Sequence, residues 1–301
     1  MSRQGKAMLA VAISSMIFGF SFLFSGVALS VTSVFVLLSS RFTLAFIAMN
    51  LLWLCKPSRL QLRGKPWKKL VGMGIFQPIL YFIGENYGIQ LTNTSFAGVM
   101  IALIPIVATL MAAVFLKERP SGGQLAFIGC SLAGVAFCSL VEGGAGQVSA
   151  KGVLLLCLAV FAGAGFTLVS RESSREFTAF ERTYVMFGIG CVFFILMGIV
   201  ENKAAFPMRL AAAWREPHFL AAVCYLGLAS SVAAFFLQHY AITYLTVART
   251  LIFANVTTVV AILAGVLILH EPFSAMQGFS IFLILFGVYG VNKTNKTTQK
   301  Y

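Results

Sequence analysis

The chain has 301 residues, of which 59% are hydrophobic and only 10% charged, too little polar surface to cover a soluble core of that size. Its net charge of +13 invites a nucleic-acid reading, but the basic residues fall between apolar segments instead of forming a face interleaved with aromatics, so nucleic acid is set aside as a partner. Aspartate is absent, which removes the usual metal-carboxylate sites and most acid/base dyads; no metal, no cofactor and no enzyme activity are expected.

A mean hydropathy of +0.91 arises from a succession of apolar runs, each near the roughly 20 residues that cross a hydrocarbon core. Arg3 and Lys6 precede the first run as they would in a signal peptide, yet the run continues without a small-residue cleavage site and reads as a retained helix. In chain order the predicted spans are Met8–Leu29, Val34–Leu54, Leu70–Gln90, Ser95–Leu116 and Gln124–Val141, then Gly152–Ser170, Thr178–Val200, Phe219–Tyr240, Val247–Leu269 and Ala275–Val291. The fifth and tenth are the shortest.

Basic loops are retained in the cytoplasm. With the N-terminus inside, fifteen Lys and Arg fall on inner segments, six of them between Lys56 and Lys69, and four fall outside at Lys151, Lys203, Arg209 and Arg215. An even number of spans with both termini cytoplasmic is the consistent solution. Trp53, Trp67 and Trp214 lie at span ends or beside them, where an indole sits at headgroup level. The six cysteines show no ligand spacing and read as packing residues.

An internal repeat appears at an offset of 153 residues: Gly74 with Gly227, Tyr87 with Tyr240, Ile89 with Ile242, Leu116 with Leu269, Glu118 with Glu271, and Gly134 with Gly287. A looser match sets Gly19-Phe20-Ser21 against Gly165-Phe166-Thr167, and Gly143-Gly144-Ala145-Gly146 marks the boundary between halves. Because each half has an odd number of spans, the second is inserted upside down. The expected fold is an all-α membrane protein of ten transmembrane helices in two inverted five-helix repeats, 1–142 and 151–292, followed by a cytoplasmic basic tail at 293–301.

With this layout the chain resembles the EamA-type members of the drug/metabolite transporter superfamily. The resemblance rests on the repeats, Phe18-Gly19-Phe20-Ser21, Ser40-Arg41-Phe42, Pro105, and the Glu118 and Glu271 exits, and it covers nearly the whole chain. It implies secondary transport of a small organic solute across the cell membrane, and favours export of amino acids or related metabolites. Uptake of a vitamin or nucleoside-like solute is the alternative, with a non-transporting sensor a further one. Thr258 stands opposite Pro105, so the second-half helix is expected to lack the proline kink.

An ionisable group at membrane depth calls for a partner or a function. Glu85 lies roughly 7 Å and Arg41 roughly 4 Å from the middle of their helices on the same side, placed to meet. Two readings are open: a structural pair that fixes packing, or a proton-coupling or substrate-ammonium carboxylate whose charge Arg41 offsets. Gln77, Tyr81 and Glu85 share one helix face with Asn86 beside them, and the offset sets Gln238, His239 and Tyr240 opposite Glu85, Asn86 and Tyr87.

Candidate substrate or coupling residues are therefore Arg41, Gln77, Tyr81, Glu85, Asn86, Gln238, His239 and Asn255. For His239 and Arg249, snorkelling or a loop contact at the inner interface competes. For Asn255, Thr257 and Thr258, hydrogen bonds between helices compete. Glu118 and Glu271 are expected to be structural, each with a local partner such as Arg119 for the first. No Walker-type loop is present, so energy is expected from protons, a counter-solute or the substrate's own gradient.

Overall fold

The computed structural model describes residues 3–55, 57, 60–115, 121–144, 148–245, 253–271 and 273–298. Among these, regular structure is helical: α1 (Arg3–Leu29), α2 (Val34–Cys55), α3 (Lys68–Gly74), α4 (Tyr81–Leu91), α5 (Thr94–Ile101), α6 (Ile104–Phe115), α7 (Gly122–Gly144), α8 (Ala150–Ser173), α9 (Ala179–Asn202), α10 (Phe206–Arg215), α11 (Pro217–Cys224), α12 (Phe235–Tyr244), α13 (Ala254–Ile268) and α14 (Ala275–Thr298). Six segments are long and apolar enough to cross a membrane. Large apolar side chains such as Leu154 and Met208, 70% and 71% exposed, stud the outer surface. Water does not tolerate that much exposed apolar area, whereas lipid does.

Two of the predicted spans are interrupted by a π-helical stretch. Ile75–Leu80 joins α3 to α4, and Tyr225–Ala234 joins α11 to α12. In the first, Pro78 supplies no N–H and disfavours helical backbone at the residue before it, and Gln77 is extended at φ −145°, ψ 115°. The second stretch contains no proline, and its serines, Ser230 and Ser231, stand 153 residues after Gln77 and Pro78. The extended Gln77 leaves backbone unwound where a cavity or another helix can use it.

The expected difference between Pro105 and Thr258 has a further consequence. Pro105 cannot hydrogen-bond to the carbonyl of Ile101, and the helix breaks between α5 and α6, where Ala102 N–H donates to Val99 O at 3.2 Å. Gly98 O instead accepts from Thr258 Oγ1 at 3.1 Å. The uninterrupted α13 thus supplies the donor for a carbonyl left over by the break in its counterpart.

Packing between sequence halves is extensive. α2 lies on α9, α5 on α13, and α7 on α14, while α4 lies on α8 as α12 lies on α1. At the α7–α14 contact, Ser131 Oγ donates to Ile284 O at 2.9 Å across a separation of 153 residues, so the repeat offset reappears as a contact. Gly134 and Gly287 both lie in this contact: a Cβ on Gly134 would meet Ile284 at 2.8 Å, and one on Gly287 would meet Phe127 O at 2.5 Å.

Each end of the bundle is tied by a carboxylate. At the end where α2 finishes, Glu181 caps α9 together with Thr178 and also receives Lys65 Nζ at 2.7 Å and the Gln61 N–H at 3.0 Å. At the opposite end, Glu271 accepts from the Thr94 N–H at 2.7 Å, the Ser95 N–H at 2.9 Å and Ser95 Oγ. Glu271 was expected to have a local partner at the end of its own helix. Its partner is instead the N-terminus of α5, where the helix dipole favours an anion, 177 residues away in sequence. Glu118, its counterpart, lies outside the described residues.

Two expectations about boundaries need correction. Helices α7 and α14 have 23 and 24 residues and are not the shortest. The segment from residue 293, expected as a basic tail, is helical to Thr298 as a continuation of α14. The loop expected after Val200 contains α10, whose Phe206 and Ala213 are buried while Met208 is exposed, the pattern of a helix lying along a surface.

Candidate functional site

A cavity of about 120 Å³ lies inside the bundle. At roughly 10–15 Å³ for each enclosed water, that is space for about ten waters or one small solute. Its wall draws on both sequence halves: Ser15 and Phe18 of α1, Arg41 of α2, Tyr81 and Glu85 of α4, Phe166 and Thr167 of α8, Phe235 and Gln238 of α12, and Thr257 of α13. Gln77 enters it from the unwound stretch before α4.

Arg41 is 1% exposed, so its guanidinium has exchanged water for protein. The Nε donates to Ser231 Oγ at 3.0 Å and Nη2 to Ser230 Oγ at 3.1 Å, both in the π-helical stretch of the other half. Its plane is steadied over the Phe82 ring, 4.2 Å from the centroid. The Nη1 is buried and, among the described residues, has no hydrogen-bond partner. Such an orphaned charged donor is costly unless a ligand or water answers it.

Glu85, 3% exposed, faces the same cavity. Tyr81 Oη donates to its Oε1 at 2.9 Å, and Asn86 Nδ2 approaches Oε2 at 3.4 Å while donating to Phe82 O at 2.9 Å. The sequence placed Glu85 and Arg41 to meet. Among the described residues, however, the ion pairs are Lys65–Glu181, Lys69–Glu172 and Lys69–Glu176, and Arg41 and Glu85 are not joined by one. Each takes neutral hydrogen-bond partners, so two unlike charges line one cavity.

Five of the eight residues singled out from sequence line this cavity: Arg41, Gln77, Tyr81, Glu85 and Gln238. Asn86 touches its lining through Glu85, and His239 through the rings of Phe166 and Phe235. His239 is not in the wall itself. It was expected near the water interface, but it is fully buried, with Nδ1 3.3 Å from Ser170 Oγ and its backbone carbonyl accepting from Arg182 Nη2 at 3.2 Å. Helix α12 runs on to Tyr244, one turn past the expected end, which draws His239 inward. The Asn255 side chain and all of Arg249 lie outside the described residues. Thr257 lines the cavity and also donates to Ser15 O at 3.1 Å, a hydrogen bond between helices.

Sequence reasoning missed Ser230 and Ser231. Their signal was present: two adjacent serines in an apolar span, at the 153-residue offset from Gln77 and Pro78. It also missed Arg182, a buried cation held at Ser170 O by Nη1, 3.0 Å away. That cluster adjoins the aromatic floor of the cavity through Phe166 and Phe235, whose ring centroids lie 5.8 Å and 6.2 Å from that of His239.

The family model described as the EamA-like transporter family matches twice, over residues 5–140 and 150–293. An uncharacterized transporter of Bacillus subtilis (strain 168), YcxC, is 33% identical over 96% of this chain and 94% of its own length. A probable terminal-alkyne amino-acid exporter of Streptantibioticus cattleyicolor is 27% identical over 75% of this chain and 71% of its own. A solved crystal structure shares the fold with a TM-score of 0.68 and 19% identity, covering 97% of each chain. The chain therefore belongs to the EamA-like transporter family, as a multi-pass transporter of the cell membrane built from two copies of the family's unit.

Proposed function

We propose that the protein is a secondary transporter that exports amino acids or related small metabolites by alternating access. The observation that carries this reading is the cavity shared by both halves, with Arg41 and Glu85 both in its lining and, among the described residues, not joined by an ion pair. A merely structural pair would be joined, because desolvated charges repay their burial only through close contact. A relative named as an amino-acid exporter supports the substrate class.

In this reading the chain crosses the membrane ten times, with α3 to α4, α5 to α6, α8, α9 and α11 to α12 among the crossings, and the halves 1–142 and 151–292 are inverted repeats. The excess of Lys and Arg puts both termini and the Lys65–Glu181 contact in the cytoplasm, and Glu271 outside. Rocking of the halves exposes the cavity to each side in turn, with Glu85 carrying a proton or an exchanged counter-solute providing the energy.

Flux tests this. Proteoliposomes of the purified chain, loaded with a pool of amino acids and metabolites and followed by mass spectrometry, are expected to release a subset of the pool faster than protein-free vesicles. The release is expected to change with an imposed pH gradient or an external solute. Well-folded protein that moves no solute under any gradient would remove the transport reading.

A further inference from the structure

We infer that the cavity takes a zwitterion in one orientation, its carboxylate on Arg41 and its ammonium on Glu85, with a neutral and largely apolar remainder among the aromatic rings. This rests on the reading of the cavity as the transport site and specifies what it selects.

The guanidinium carries five N–H groups. Ser231 takes the one on Nε and Ser230 takes one on Nη2. The two on Nη1 and the second on Nη2 remain, and they form the end of the guanidinium fork. That end receives a carboxylate in parallel, bidentate fashion, the strongest geometry open to arginine. Phe82 beneath the guanidinium fixes its plane, so the fork is oriented before a ligand arrives. The orphaned Nη1 is then explained as a donor kept for a ligand.

Glu85 is arranged in the complementary sense. A carboxylate has about four lone-pair directions, and Tyr81 and Asn86 occupy two. The remaining directions accept from an ammonium, which brings three donors. The same wall offers Phe18, Phe166 and Phe235, suited to an apolar side chain.

Charge balance makes the selection sharp. The pair is neutral together, and a zwitterion leaves the filled cavity neutral with each charge answered. A solute with one charge answers one pole and leaves the other desolvated beside it, which is unfavourable.

The test separates recognition from transport by measuring equilibrium binding to the detergent-purified full chain. The twenty common amino acids are titrated first by thermophoresis. Each that binds is then compared with its carboxamide, which lacks the carboxylate, and with its deaminated acid, which lacks the ammonium. Wild type is expected to bind both analogues about tenfold or more weakly. In Arg41→Gln the amino acid and its carboxamide are expected to bind alike, and in Glu85→Gln the amino acid and its deaminated acid.

Carboxamide binding that is unchanged by Arg41→Gln reports that the variant is folded. If no amino acid binds, or if the analogues bind as well as their parents, the inference is overturned. Should flux be found for a solute that is not a zwitterion while no amino acid binds, transport stands and this inference falls. Should amino acids bind with the expected pattern while nothing crosses, the inference stands and transport falls.

Discussion

Gly84→Val is expected to abolish accumulation of folded protein in the membrane. A Cβ on Gly84 would stand 2.5 Å from Leu155 O and 2.9 Å from the Ala159 backbone nitrogen, both in α8. Backbone atoms cannot rotate away as a side chain end can, so the only relief is to push α4 from α8. Such overpacking costs about 1–3 kcal/mol for a methyl in a tight core, which sets the scale for Gly84→Ala. Valine adds two γ-carbons to the same clash, and one of the walls of the cavity is the helix being displaced. Size-exclusion profiles of detergent extracts check this, with Gly72→Ala as the control: nothing lies within 4 Å of a Cβ placed there, and its profile is expected to match wild type. A monodisperse Gly84→Val protein at wild-type yield would show that the α4–α8 approach is looser than these distances state.

The second large effect is on activity without loss of the fold. Glu85→Gln keeps an oxygen to accept from Tyr81 Oη, and among the described residues no ion pair depends on the charge. Its melting temperature is therefore expected to stay near that of wild type. What it loses is a charge-assisted contact to the solute and a site that takes up a proton, and the first alone is worth about tenfold in rate or affinity. Flux is expected to fall about tenfold or more, and the residual flux to ignore an imposed pH gradient that alters wild type. If Glu85→Gln unfolds, Glu85 is structural; if it transports with the same pH response, neither coupling nor ammonium binding belongs to it.

The sequence made the class of the fold readable because membrane solvent imposes long apolar runs and a charge bias between them. The 153-residue offset was legible for a similar reason, since the Glu118/Glu271 match is improbable between apolar helices, and it returns in space as the Ser131–Ile284 contact. One face of the site, Gln77 with Tyr81 and Glu85, was legible from helical spacing, even though Pro78 makes the backbone there irregular.

What stayed hidden depends on which helix meets which. The partners of Arg41 are Ser230 and Ser231, nearly two hundred residues away, and apolar composition does not say that their span approaches α2. Glu271 was read by the dipole of its own helix, an adverse one, whereas the N-terminus of α5 decides its environment. Helix α10 was passed over because hydropathy registers crossings, and an amphipathic helix along a surface has a low mean. His239 was misplaced by the four residues by which α12 outruns its expected end.

The central claim is that the cavity opens to both sides of the membrane in turn and carries the solute. Thr167 lines it, so Thr167→Cys in a cysteine-free background that retains flux gives a direct reading. The rate at which a membrane-impermeant thiol reagent modifies that cysteine is measured from each face of oriented vesicles. The account predicts modification from both faces, slowing of both rates by the transported solute, and loss of flux once the thiol is blocked. Modification from one face only under every gradient, or full flux through a blocked cavity, contradicts it.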